Sequence, residues 1–126
     1  MDGRAALAAG AIAMFVAVAA GAFGAHALES TLTAARMGAW HTAVRYEAWH
    51  GLALIAVGIL MQRGAPRARV LRLAAWLFAA GIVLFSGSLY ALVLADVRGL
   101  GAITPFGGLA LLAGWATFAW AVLRRD

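Results

Sequence analysis

The chain has 126 residues, 65% of them hydrophobic and 12% charged, with a formal net charge of +5. Soluble domains run about 45–50% apolar and about 25% charged, and a chain this short folded in water buries only about 60–70% of its unfolded surface. The composition therefore excludes a soluble enzyme, a disordered tail and a nucleic-acid-binding module, and the absence of cysteine excludes disulfide frameworks, thiol catalysis and cysteine-held metal centres.

A helix needs about 20 apolar residues to cross the hydrocarbon core. The first 21-residue charge-free run, Ala5 to Ala25, predicts a span over 5–25. Arg4 and the small-residue triplet Ala25-His26-Ala27 give it some likeness to a secretory signal. However, the run exceeds the 7–15 residues usual for a signal core, and Asp2 cancels the charge of Arg4, so it reads as a retained span. Its small residues Ala9, Ala13, Ala17, Gly21 and Ala25 recur at every fourth position, a ribbon expected to pack inside a bundle by close backbone approach. In the outer loop that follows, Leu32, Ala35, Arg36 and Trp40 stand at helical spacing. They predict a short amphipathic helix on the membrane surface.

The second span is placed at 43–61. Only Ala48 to Gln62 is free of charge, and extension back to Ala43 takes in Arg45 and Glu47, which is acceptable because a long Arg reaches the headgroups from a helix end. The loop after it carries Arg63, Arg67, Arg69 and Arg72. The third span is placed at 73–95 and the fourth at 104–123, where Thr104-Pro105 reads as an N-cap followed by proline in the first turn. Gly87, Gly107 and Gly108, with Gly21 and Gly24 of the first span, are the candidate helix-packing glycines. The predicted fold is an all-α membrane protein, a single four-transmembrane-helix bundle over residues 1–126.

Arginine distribution sets the expected sidedness. Arg4, Arg63, Arg67, Arg69, Arg72, Arg124 and Arg125 fall on one side, and Arg36, Arg45 and Arg98 on the other. Positive charge favours the cytoplasm, which puts both termini there. The Arg63–Arg72 cluster also suits anionic lipid headgroups.

Polar side chains within spans are the natural candidates for function, because an unpaired one is costly in hydrocarbon. His50, Tyr46, Glu47, Ser86, Ser88, Tyr90 and Thr104 all fall in the outer half on the predicted boundaries. His50 lies roughly 16 Å above the inner end at about 1.5 Å per residue, with Glu47 near the outer edge. Tyr46, Glu47 and His50 have the three- and four-residue spacing of one helix face. Glu47 would then fix the tautomer of His50 or hold it protonated. The plainer alternative is interhelical glue, with these groups satisfying one another and the serines of the third span. His26, His41 and His50 lie too far apart for a metal or haem ligand set, and the chain has no nucleophile motif.

The segments Gly21–Leu28, Val44–Tyr46 with His50–Leu54, Phe85–Tyr90 and Leu100–Gly108 together resemble an uncharacterised family of small four-span proteins of bacterial inner membranes, with a relative in animal mitochondria. The chain departs from that pattern at Glu47, where an amide is expected, and at Trp49, where Tyr or Phe is expected. The resemblance implies a fold and a bacterial inner-membrane location, and carries no cofactor or activity. The leading functional expectation is a non-enzymatic structural or accessory component, alone, as a homo-oligomer or with a membrane-protein partner. A lipid or quinone binder using the polar cluster is the alternative. An oligomeric small-solute transporter is disfavoured, because the first span lacks the deep carboxylate of the small multidrug-resistance proteins.

Overall fold

The computed structural model describes residues 1–124, so Arg125, counted above for sidedness, lies outside the described residues. Among the described residues, four helices are long and apolar enough to cross a membrane. Helix α1 (Gly3–Leu28) begins at Asp2, whose carboxylate accepts from the Ala5 N–H at 2.8 Å, satisfying one of the orphan donors of the first turn. It ends in a wider π turn over Gly24–Leu28. Helix α2 (Ala34–Gln62) is capped by Thr33, which accepts from the Arg36 N–H at 3.3 Å.

The turn that follows places Gly64 and Arg67 at positive φ, 70° and 67°. Helix α3 (Ala68–Ala95) carries a π turn of its own at Val83–Gly87. A 3₁₀ turn (Arg98–Ala102) then leads into α4 (Thr104–Leu123). Short connections make sequential neighbours antiparallel: α1 packs on α2, α2 on α3 and α3 on α4. At the end of the bundle away from the termini Arg36 of α2 pairs with Asp96 just past α3, a half-exposed contact that contributes little.

Two expectations change here. The amphipathic surface helix is not separate: Ala35, Arg36 and Trp40 belong to the first turns of α2, which starts at Ala34 rather than 43, and Leu32 precedes its cap. Thr104 is not a side-chain cap either. The 3₁₀ turn runs directly into α4, Ile103 is already helical (φ −81°, ψ −33°), and no side-chain cap bond forms.

The buried positions of α1 are Gly3, Ala6, Gly10, Ala13 and Ala17, followed by Gly24 and Leu28. Those of α2 include Met37, Trp40, Ala43, Glu47, His50, Leu54 and Val57. Most steps are of three or four residues, close to the 3.5-residue repeat of helices packed side by side. The fourfold ribbon expected on α1 fails for this reason. Each four-residue step overshoots a turn by about 40° at 3.6 residues per turn, so the row winds off the contact face. Ala13 and Ala17 are buried, Ala9 and Gly21 half-buried, and Ala25 is exposed.

Backbones touch where glycines recur one heptad apart. A Cβ on Gly10 would stand 2.6 Å from the Gly51 carbonyl oxygen, and one on Gly58 would stand 2.9 Å from that of Gly3. Of the five glycines singled out from the sequence, Gly24 lies tight against the Trp40 indole and Gly107 against the Phe85 backbone. Gly21 and Gly108 make ordinary contacts with Val44 and Phe85 at 3.6 and 3.7 Å. Gly87 is a correction: a Cβ there meets nothing within 4 Å, because the π turn directs Ser86, not Gly87, into the seam.

These contacts predict opposite signs for two similar substitutions. Gly10→Ala forces α1 off α2 and costs about 1–3 kcal/mol, the usual scale of overpacking. Gly87→Ala relieves a helical glycine in open space and gains up to about 0.5–1 kcal/mol. SDS titration of the purified protein in detergent measures both.

Candidate functional site

Helix α2 places two ionisable groups on its inward stripe, Glu47 and His50, each only 5% exposed. Three residues of helix leave them about 60° apart around the axis at 3.6 residues per turn. That divergence sends them to opposite sides of the seam between α2 and α3.

Glu47 turns toward α1 and the C-terminal half of α3. Its Oε2 accepts from the Tyr90 hydroxyl at 2.5 Å, and it lines a cavity of about 320 Å³ whose α1 wall includes Ala9, Ala13 and Val16. Because α2 begins at Ala34, Glu47 is thirteen residues from its first residue and fifteen from its last. Its α1 neighbours also come from the middle of that helix. Glu47 therefore sits at mid-helix, not near the outer edge as the shorter predicted span implied.

His50 turns toward α4. Its Nδ1 lies 2.6 Å from the Tyr46 carbonyl oxygen, and since a carbonyl only accepts, Nδ1 carries the proton. The tautomer is thus set by the backbone one turn earlier. The expected control by Glu47 is corrected: the carboxylate is held by Tyr90 on the other side of the helix. In a neutral ring with Nδ1 so committed, Nε2 is an acceptor.

The groove on the His50 side encloses about 620 Å³ between α2 and α4, with α3 as its floor. Tyr46, Trp49, Phe85, Leu112 and Trp115 line it with His50. The Tyr46 ring stacks on Phe85 at 4.4 Å between centroids. The imidazole lies 5.8 Å from the ring of Phe78 and 6.0 Å from that of Trp115, and Phe78 meets Trp115 edge-on at 5.1 Å. Trp49 and Trp115 are themselves exposed on the outside of the bundle, so the groove opens laterally toward lipid. Trp115 and Phe78 escaped the sequence reading, which searched for hydrogen-bonding side chains. The available signal was a Trp in mid-span, away from the interfacial belts where Trp concentrates.

The remaining candidates serve the seams. Ser86, 1% exposed, donates to the Ala43 carbonyl at 2.8 Å and ties α3 to α2. Ser88 donates to the Phe85 carbonyl at 2.9 Å, Thr104 reaches the Leu100 carbonyl at 3.5 Å, and the two hydroxyls share a 2.7 Å hydrogen bond. That pair ties α3 to α4. The seven residues therefore form two sites and two ties instead of one cluster. Among the described residues no three His, Asp or Glu side chains approach closely enough to hold a metal ion.

Comparison with known proteins identifies similar chains. Residues 20–108 match the family model described as "Protein of unknown function (DUF423)". The UPF0382 membrane protein SH2409 of Staphylococcus haemolyticus is 48% identical over 106 residues, 84% of either chain. The UPF0382 membrane protein YwdK of Bacillus subtilis is 44% identical over 91% of this chain and 93% of its own. The UPF0382 inner membrane protein YgdD of Escherichia coli is 42% identical over 90% of this chain and 86% of its own. No solved structure matches the chain.

The Tyr90–Glu47 bond is expected to act as an interhelical tie. A double-mutant cycle of Tyr90→Phe and Glu47→Leu, read as stability in detergent, should return a coupling of about 0.6–1.7 kcal/mol, from the average to the largest of such bonds in lipid. The same cycle in a His50→Ala background should return the same coupling, since His50 lies on the other side of the seam.

Proposed function

The chain belongs to the DUF423 family of UPF0382 membrane proteins, and from that premise we propose that it is a non-enzymatic membrane protein that holds a lipophilic ring-bearing ligand of the quinone class in the His50 groove. The observation that carries this reading is one acceptor nitrogen set in an aromatic, lipid-open groove. Ligand sites are concave and mostly apolar, with few oriented polar groups, and run about 300–1,000 Å³. The groove matches on each count. Tyr46, Phe85 and Trp115 offer ring faces and edges for stacking. With Nδ1 committed to Tyr46, a neutral His50 accepts a hydrogen bond, which suits the hydroxyl of a quinol better than the carbonyl of a quinone. The absence of a nucleophile motif supports a binding or accessory role over catalysis.

Seven arginines against three support both termini on the cytoplasmic side, with the α2–α3 turn there too. Arg63, Arg67, Arg69 and Arg72 then face the leaflet where anionic headgroups would add attraction.

Purified into nanodiscs directly from membranes, the wild-type chain should carry extractable quinol at near one per chain. His50→Ala and Trp115→Ala should each lower that content at least fivefold. Content equal to that of an unrelated four-span protein, or unchanged in both variants, overturns the reading.

Topology is tested separately with single cysteines in the cysteine-free chain. Pro66→Cys, in the exposed α2–α3 turn, should react with an impermeant maleimide only after the cells are opened. Gly99→Cys, in the exposed α3–α4 turn, should react in intact spheroplasts.

A further inference from the structure

The cavity on the opposite side of the seam differs chemically from the His50 groove. Its walls include Ala9, Ala13 and Val16 of α1, Leu54 of α2, and Ala79 and Val83 of α3. Every residue around it is aliphatic except Glu47. It encloses about 320 Å³, within the range of small-molecule sites, and Val83 on its rim is exposed on the outside of the bundle.

One carboxyl oxygen of Glu47 takes the Tyr90 hydroxyl. An ionised carboxylate has about four acceptor positions, and no other side chain of this cavity carries a donor. The remaining positions therefore go to whatever occupies the space. A carboxylate ionised at mid-helix in hydrocarbon is costly unless paired, and the aliphatic walls leave that pairing to a cation with an apolar body entering from the membrane.

We propose that the Glu47 cavity is a binding site for lipophilic primary amines: the ammonium group meets the carboxylate and the alkyl chain lies along the aliphatic walls and out past Val83 into lipid. The absence of aromatic rings selects among cations. Quaternary ammonium groups are held by aromatic faces and have no N–H to donate, whereas a primary ammonium offers three donors to the free carboxylate positions. The site is independent of the His50 groove and shares no lining residue with it.

The test is binding of radiolabelled dodecylamine to the full chain in phosphatidylcholine nanodiscs, corrected for uptake by empty discs. The expected result is saturable binding at one per chain, with dodecyltrimethylammonium at least tenfold weaker. Glu47→Gln keeps the shape and removes the charge, and should weaken amine binding at least tenfold. Val83→Trp blocks the rim from an exposed position, leaves Glu47 and Tyr90 in place, and should also weaken it at least tenfold. Should Glu47→Gln not fold, the Val83→Trp and quaternary-amine comparisons decide. Uptake no greater than that of empty discs, equal affinity for the two cations, or full binding in Val83→Trp overturns the proposal.

Discussion

Apolar side chains gain nothing by leaving lipid for a protein interior, so a bundle of such helices must be held by close packing and by polar bonds between helices. The contact everything else depends on is the backbone approach of α1 to α2 at Gly3–Gly58 and Gly10–Gly51. With no Cβ on either side, carbonyl oxygens come within reach of the facing backbone, and dispersion acts over many atoms at once. The two pairs are one heptad apart on both helices, which fixes the rotation of α2 about its axis. Once α2 presents Gly51 and Gly58 to α1, its 3.5-residue repeat carries Glu47 and His50 inward. The position of the polar chemistry follows from the glycines.

The seams divide the work. The outer pairs, α1 with α2 and α3 with α4, are joined at glycines: Gly114 meets the Phe78 ring and Gly107 the Phe85 backbone. The central seam between α2 and α3 is joined by Ser86 on the Ala43 carbonyl and Tyr90 on Glu47. Side-chain bonds in lipid average only about 0.6 kcal/mol, so this seam is the weaker join by bonding alone. Its bonds specify register, since each buried polar group meets its partner in one alignment only. The π turn at Val83–Gly87 contributes here. By widening one turn of α3 it aims Ser86 at α2 and leaves Phe85 as the floor of the aromatic groove.

Much of the fold was legible because each span announces itself as a long charge-free run, and hydrocarbon permits little else. The start of α2 was not, since Leu32, Ala35, Arg36 and Trp40 at helical spacing look like a separate surface helix when all but Leu32 belong to the first turns of a longer one. That one boundary moved Glu47 from the edge to mid-helix. The polar residues themselves were legible as a set, but their grouping was not. Spacing of three and four residues places Tyr46, Glu47 and His50 on one broad face, and only the position of α3 shows that the face is split. The π turns left no mark in composition or periodicity, so the roles of Ser86 and Gly87 could not be told apart. The aromatic wall was passed over because it carries few hydrogen-bonding groups, so Trp115 was legible only by its place in mid-span.

The split of that face has a consequence for reading function from the chain. Helix α2 is the wall common to two cavities of opposite character, one aromatic with an acceptor imidazole, the other aliphatic with a carboxylate. A substitution on α2 that rotates the helix therefore moves both groups together, whereas one at Trp115 or Val16, exposed on the bundle surface, leaves the α1–α2 glycine contact in place. Trp115 and Val16 address the two cavities separately because they lie on helices that do not share a seam. The departure of this chain at Glu47 from the amide expected there is confined in the same way. A carboxylate there in place of an amide would change the charge of the aliphatic cavity, and the backbone hold on His50 through Tyr46 does not depend on it.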